Sequence, residues 1–177
     1  MKFFLSLLTK IVFLLTLVIA HFFISYSFTF PYNTINIIFA ALILFMVFSE
    51  TGVIVWMSFF MHFCIELYSI SPFGVILLSS TLSILFTYWL FQTVFTNRSW
   101  YSTIFLTFVS LFFYRFLSLL FLFLISFFFQ KSTEISWGNM LILSGYELFF
   151  TEILVLVSYA FLPKFRKSLI RVRSKVL

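Results

Sequence analysis

Residues 102–129 read STIFLTFVSLFFYRFLSLLFLFLISFFF, and Arg115 is the one charged side chain among them. A helix needs about 20 predominantly apolar residues to cross the hydrocarbon core of a bilayer, so this run is long enough to cross with a tilt or a kink. A soluble domain of this size offers no core that buries so long an apolar run. We therefore expect a helix that is solvated by lipid.

The rest of the chain has the same character. Hydrophobic residues make up 63% of its 177 residues, and the mean hydropathy is +1.19. In a soluble protein the formal net charge of +6 would indicate nucleic acid as a partner. Here the cations lie beside apolar spans, so anionic lipid is the expected partner and nucleic acid is not. The composition predicts an all-α integral membrane protein.

Turn residues divide the chain into six candidate transmembrane spans. The spans cover roughly residues 11–28, 35–48, 53–68, 74–95, 102–129 and 139–162. Pro163 is expected to close the last span, because proline interrupts the hydrogen bonding of a helix. Residues 1–163 would then form a single transmembrane domain, followed by a tail at 164–177. The second and third spans are short, so a five-span alternative, in which they form one tilted helix, stays open.

The distribution of Lys and Arg predicts the orientation of the spans. With six spans and both termini in the cytoplasm, the inner side receives Lys2, Lys10, Arg98 and the cationic tail. The outer side receives Lys131 alone. This asymmetry is the one that the positive-inside rule predicts for a multi-pass protein.

The tail carries cations and no acid. Its cations are Lys164, Arg166, Lys167, Arg171, Arg173 and Lys175. Apolar residues at Phe165, Leu169, Val172 and Val176 recur at steps of four, three and four, as on one face of a helix. One interpretation is a basic amphipathic helix that lies on the anionic inner leaflet. The other is a frayed tail that acts through the positive-inside rule alone.

Charged side chains inside apolar spans need a partner, because an isolated charge in hydrocarbon costs several kcal/mol. For a hairpin of the last two spans centred near Thr133, Arg115 lies 18 residues before the centre and Glu152 lies 19 residues after it. The two side chains then reach the same depth. We therefore expect a buried Arg115–Glu152 ion pair, with Glu147 nearer the outer face. The pair either fixes helix packing or contacts a substrate or partner.

A second group of polar residues lies in the third span. His62 and Glu66 are four residues apart and share one face of a helix. Such a pair can belong to a metal site or a proton relay, but the pattern supplies no third ligand, so no metal is predicted. His62 and Glu147 are candidates for a polar face of the bundle. The sequence contains no recognisable catalytic residue set or cofactor motif, so we expect neither an enzyme nor a bound cofactor.

The segment 63–77, FCIELYSISPFGVIL, resembles the rod-shape-determining membrane protein family MreD. In that family a span ends in an acidic residue, Leu and a small polar stretch, and a Pro-x-Gly turn then opens the next span. The matching residues in this chain are Glu66, Leu67, Ser69, Pro72 and Gly74. The family usually has Asp at the position of Glu66. It also usually has a Gly-rich helix before that position, where this chain has bulky residues at 57–61.

The resemblance implies a non-enzymatic component of the bacterial cell-wall elongation machinery in the inner membrane. The partners that it implies are a periplasm-facing MreC-like protein, the wall synthases and, indirectly, the actin-like MreB. The family's fold is related to the substrate-binding subunits of energy-coupling-factor vitamin transporters. An alternative is therefore a transporter subunit that binds a small molecule in a cavity open to the outside. A membrane enzyme is a third possibility, for which the sequence offers no residue set.

Overall fold

The computed structural model describes residues 2–49, 52–95, 99–129 and 137–173, except for the side chains of 2–10, 129, 137 and 162–173. Within these ranges the chain forms six α-helices, one short 3-10 helix and no strand. The α-helices are α1 (Lys2–Ser27), α2 (Ile37–Ser49), α3 (Val53–Glu66), α4 (Val75–Thr93), α5 (Trp100–Phe129) and α6 (Trp137–Arg173), and the 3-10 helix is Tyr32–Thr34. For this part of the chain the predicted all-α fold is confirmed.

Three helices in the described ranges are long and apolar enough to cross a membrane. The stretches that qualify are Val75–Thr93, Trp100–Phe128 and Gly138–Phe161. The apolar stretches Ile11–Ser27, Ile37–Ser49 and Val53–Glu66 are shorter. These lengths are compatible with the predicted membrane protein. The number of helices that are long enough is three in the described ranges, which is fewer than the six crossings predicted.

Helix α2 forms the centre of the bundle. Its side chains Ile38, Phe39, Ile43, Met46 and Val47 are fully buried, and α1, α3, α5 and α6 all contact it. Because neighbours surround α2, its sequence is apolar throughout and does not show a one-sided pattern. With 13 residues and about 1.5 Å of rise per residue, α2 is shorter than the thickness of a bilayer.

Helices α2 and α3 are separate, and the chain reverses its direction between them. The ring of Phe39, near the start of α2, lies 5.3 Å from the ring of His62, near the end of α3. In one continuous helix these residues would be separated by about 35 Å, given a rise of about 1.5 Å per residue. This contact excludes the five-span alternative in which the second and third spans form one tilted helix.

Small polar side chains line the contact between α4 and α5. On α4, Ser79, Ser83 and Thr87 recur every four residues and are fully buried, as are Thr107 and Ser110 on α5. The Oγ of Ser83 donates a hydrogen bond to the carbonyl oxygen of Ser110. Membrane helices gain little by moving apolar side chains from lipid to protein, so small residues that permit close approach stabilise their contact.

Helix α6 continues beyond the predicted end of the last span. Its backbone is helical through Pro163 as far as Arg173, so the helix does not end where the last span was predicted to close. A proline removes one backbone hydrogen bond and crowds the preceding turn, which weakens or kinks a helix without forcing it to end. The side chains of the tail cations, and all of Lys175, lie outside the described residues. The contact of the tail with anionic lipid therefore stays a prediction.

Candidate functional site

The segment that resembles the MreD family forms a capped turn between α3 and α4. Glu66 is the last residue of α3, and its side chain is buried. Its Oε1 accepts hydrogen bonds from the backbone N–H groups of Gly74 (2.9 Å) and Ile76 (3.3 Å), and its Oε2 accepts one from Leu77. The first N–H groups of a helix have no partner within that helix, and they form the positive end of its dipole. The carboxylate of Glu66 therefore caps α4 from the end of the preceding helix.

The other motif residues shape this turn. Gly74 has a φ of +97°, in the left-handed region where a Cβ atom would be strained. The carbonyl oxygen of Pro72 accepts the first N–H of α4 (3.3 Å), and the Oγ of Ser69 accepts the N–H of Ser71 (3.0 Å). The side chain of Leu67 is exposed. The geometry of Glu66 is that of a helix cap.

The buried carboxylate of Glu147 in α6 connects three helices. Its Oε2 accepts a hydrogen bond from the Nε of Arg115 in α5, and its Oε1 accepts one from the Nδ2 of Asn36 (2.8 Å). The backbone N–H of Asn36 donates to the Oγ1 of Thr151, one turn further along α6 (3.0 Å). The start of α2 is thus tied to both α5 and α6.

Asn36 is also the N-cap of α2. Its Oδ1 accepts the backbone N–H three residues later (3.2 Å). Because Asn36 bonds Glu147, α2 begins about 15 Å along α6 from the start of that helix, at about 1.5 Å per residue. The ring of Phe30 lies 4.9 Å from the ring of Tyr146, so the turn between α1 and α2 lies at the same level. The Arg115–Glu147 pair is therefore level with this turn.

The predicted Arg115–Glu152 pair is wrong. Arg115 pairs with Glu147, and both carboxylate oxygens of Glu152 are buried with no hydrogen-bond partner among the residues that the structure describes. The prediction matched the two residues in depth but did not consider the face of the helix. Five residues along a helix correspond to a rotation of about 140°, since each residue turns the helix by about 100°. Glu147 and Glu152 therefore face different neighbours.

Glu152 lies in a groove on the surface of the bundle, between the start of α5 and the middle of α6. The other residues that line it are Trp100, Tyr101, Ile104, Phe105, Phe108 and Leu156. Tyr101 is 65% exposed and Phe105 is 47% exposed. We call this surface, which Glu152 lines together with these residues, the Glu152 groove. It combines aromatic side chains that this chain leaves exposed with a carboxyl group that its described residues leave without a donor.

His62 points into the core and is not joined to Glu66. Its Nδ1 lies 2.9 Å from the carbonyl oxygen of Ser58 in the same helix, and its ring packs against Phe39 and Tyr114. Within the described ranges, no three His, Cys, Asp or Glu side chains are arranged to hold a metal ion. Both His62 and Glu147 were candidates for a polar face. The ring of His62 contacts aromatic rings, whereas the carboxylate of Glu147 binds Arg115 and Asn36.

Asn36 and Thr151 are site residues that the sequence analysis does not identify. An Asn directly before an apolar run is a helix N-cap signal, so the start of α2 at Asn36 could have been predicted. Its bond to Glu147 joins residues 111 positions apart. No local pattern contains that information, because it depends on how the helices pack.

We expect Arg115 and Glu147 to be energetically coupled. Arg115→Met leaves the buried carboxylate of Glu147 without its counter-ion and should cost about 3 kcal/mol of unfolding free energy. Glu147→Gln leaves a guanidinium that is 40% exposed and should cost less. The double variant should lose clearly less than the sum of the two single losses. The measurement is a double-mutant cycle by denaturant titration in mixed micelles.

The matched control for this cycle is Arg115→Met combined with Glu152→Gln, whose effects should add to within about 0.5 kcal/mol. Coupling of Arg115 to Glu152 as strong as its coupling to Glu147 would contradict the assigned pair.

We expect the Glu66 cap to be a large local contribution to stability. Glu66→Ala leaves three N–H groups at the start of α4 without an acceptor, which should cost about 2–4 kcal/mol. Glu66→Gln keeps one acceptor oxygen and should cost less. Thermal unfolding of the purified protein in detergent provides the comparison, with the exposed neighbour Leu67→Ala as control. A loss for Glu66→Ala no larger than that for Leu67→Ala would show that the cap is dispensable.

The site must be interpreted from its own geometry, because comparisons of this chain with protein-family models, with curated proteins and with solved structures give no match.

Proposed function

We propose that this chain is a non-enzymatic, multi-pass protein of the bacterial inner membrane that acts by binding other membrane proteins. The observation that carries the proposal is the carboxyl group of Glu152, which is buried on the surface of the bundle without a hydrogen-bond partner in the described part of the chain. A polar group in an apolar environment costs several kcal/mol unless it is hydrogen-bonded. A donor from another polypeptide removes that cost.

The expected occupant of the Glu152 groove is a transmembrane helix of a partner protein with a basic or other hydrogen-bond-donating side chain at the depth of Glu152. In a membrane such a side chain is itself costly unless it is paired, so the two groups stabilise each other's burial. The aromatic side chains around the groove provide the apolar contact surface that surrounds the pair. A lipid tail would cover the rings but could not donate a hydrogen bond.

The proposal places this protein in the machinery of cell shape and wall elongation, in the manner of the MreD family. The support is the motif at Glu66, Leu67, Ser69, Pro72 and Gly74, whose turn has a defined capped geometry. The proposed partners are an MreC-like protein, the wall synthases and, indirectly, MreB. We further propose six membrane crossings with both termini in the cytoplasm, in accordance with the distribution of Lys and Arg.

We expect Glu152→Leu to lose the partner protein while the fold is retained. The measurement is a pull-down of the tagged protein from gently solubilised native membranes, read by mass spectrometry. Glu152→Gln should retain part of the binding, because an amide can still accept a hydrogen bond. The matched control is Phe149→Leu, at an exposed position of the same helix that does not line the groove.

The identity of the recovered proteins tests the two parts of the proposal separately. MreC-like and wall-synthesis proteins would support the role in elongation. An ATP-binding-cassette pair with its coupling subunit would favour the transporter alternative. Equal recovery with Glu152→Leu and with the unmodified chain would rule out the Glu152 groove as the binding surface.

We expect the cations of the tail to fix the orientation of the last span. Replacing all six with Gln should invert or mix the topology reported by fusions at the C-terminus, since the positive-inside rule acts through Lys and Arg near span ends. A control variant in which each Lys becomes Arg and each Arg becomes Lys keeps the charge and should keep the topology. An unchanged map in the Gln variant would contradict this role of the tail.

A further inference from the structure

Exposed tyrosine side chains lie at one level of the bundle, beside the turns that join α1 to α2 and α3 to α4. They are the side chains of Tyr26, Tyr32, Tyr68 and Tyr146. The ring of Tyr146 lies 4.9 Å from that of Phe30 in the first turn, and the ring of Tyr68 lies 5.4 Å from that of Phe22 near the end of α1. We call this the tyrosine level. Because Tyr146 directly precedes Glu147, the ion pair of Glu147 lies at the same level.

A second set of exposed aromatic side chains lies at the opposite ends of α3 and α4. Its members are Trp56, Trp89, Trp100 and Tyr101. A Cβ atom at Gly52, directly before α3, would lie 3.3 Å from the hydroxyl oxygen of Tyr88, so the start of α3 is level with the end of α4. Ser83 lies as far from the end of α4 as Ser110 lies from the start of α5, and the hydrogen bond between them brings these two helix ends to one level. We call this the tryptophan level. Every exposed Tyr or Trp among the side chains that the structure describes belongs to one of the two levels.

Between the two levels, the exposed residues of α3, α4 and the first half of α5 are all Phe or Leu. They are Phe60 and Phe63 on α3, Leu78, Leu82 and Leu85 on α4, and Phe105, Phe108 and Phe112 on α5. Exposed polar residues appear just outside the levels. Gln92 and Thr93 follow the tryptophan level on α4, and Ser27 and Thr29 follow the tyrosine level after α1. Trp and Tyr are enriched where a membrane meets water, so the two levels have the composition of membrane boundaries.

The two levels are closer together than the two faces of an ordinary hydrocarbon core. At about 1.5 Å of rise per residue, Trp56 and Tyr68 are about 18 Å apart along α3. By the same measure, the part of α4 from Val75 to Trp89 covers about 21 Å. The hydrocarbon core of a typical bilayer is about 30 Å thick. Beside α3 and α4 the apolar surface is therefore about 10 Å too short for it.

Helix α5 does not have this limit. Its exposed face continues beyond the tyrosine level with Phe116, Phe123 and Phe127. From Tyr101 to Phe127 this apolar face covers about 39 Å, at about 1.5 Å per residue. The apolar surface of the protein is thus short on the side of α3 and α4 and long on the side of α5. A bilayer accommodates a short apolar surface by becoming thinner next to it, whereas a long helix tilts.

We propose that this chain thins the bilayer locally beside α3 and α4, where the two headgroup layers lie at the tyrosine level and the tryptophan level. The partner that fits this surface is lipid with a hydrocarbon layer about 10 Å thinner than the usual core. The inference rests on the proposed insertion of the chain into a membrane. It does not depend on partner binding at the Glu152 groove, which α3 and α4 do not line.

The first test measures the depth of spin labels on the full chain in vesicles of dioleoyl phosphatidylcholine. Cys64, the single cysteine, is replaced by Ser, and a label is attached at Phe60→Cys, Ile70→Cys or Phe116→Cys, all of which are exposed positions. Position 70 lies in the turn between α3 and α4, and its label should collide more often with a water-soluble nickel chelate than with oxygen. Position 60 lies between the levels, and position 116 lies at the tyrosine level on α5. Labels at both should collide more often with oxygen.

The three labels separate the thinning from the membrane insertion on which it rests. A label in hydrocarbon at position 70, with position 60 also in hydrocarbon, would overturn the thinning and leave the insertion intact. Equal accessibility to water at positions 70 and 116 would also overturn it, because the membrane surface would then have one level around the protein. Accessibility to water at position 60 would contradict the insertion itself.

The second test compares a charge at the tyrosine level with a charge between the levels. A charged side chain costs much less near a membrane interface than at the centre of the hydrocarbon. In the same vesicles, Tyr68→Arg should change Tm by less than about 2 °C, whereas Phe60→Arg should lower it by about 5 °C or more. The control Phe60→Leu removes the ring without adding a charge and should lower Tm less than Phe60→Arg. Equal losses for Tyr68→Arg and Phe60→Arg would overturn the position of the headgroup layer. The spin labels add no charge, so a failure of Phe60→Arg to fold leaves the proposal testable.

Discussion

Every backbone N–H and C=O group that lipid surrounds must find its hydrogen-bond partner within the protein, because the hydrocarbon offers none. Helices that begin inside the bundle make this requirement severe, since their first N–H groups have no partner in their own helix. The chain meets it twice with side chains from other elements. Glu66 closes the start of α4 from the end of α3. Asn36 caps α2 with its own side chain, while Thr151 of α6 accepts its backbone N–H.

These caps also fix the relative positions of the helices. Asn36 can satisfy α2 and reach Glu147 only if α2 starts at the level of Glu147 on α6. Arg115 then joins the same carboxylate from α5. The apolar surface of α2 packs in the space that these contacts define, and its side chains are buried on all sides. The short length of α2 follows from its start inside the bundle, at the level of the preceding turn.

Among the described residues, several buried side-chain groups have no hydrogen-bond partner, and the carboxyl group of Glu152 is one of them. Glu152 lines an aromatic groove on the surface of the bundle. Asn33 lines a partly open cavity at the turn between α1 and α2.

The helices and most of their ends are evident in the sequence, because apolar runs of this length, interrupted by Pro, Gly and polar residues, permit few alternatives. The exceptions are the start of α1 at Lys2 and the end of α6 at Arg173, which lie well outside the predicted apolar spans. The same is true of the turn at Glu66 and Gly74, whose residue types are adjacent in the chain. The partner of Arg115 is different. Glu147 and Glu152 lie on the same apolar helix, and neither composition nor depth tells which of them faces α5. That choice depends on the rotation of α6 about its axis, which is set by its packing against α2 and α5. Tertiary structure therefore assigns the ion pair, and by the same rotation it directs Glu152 to the surface.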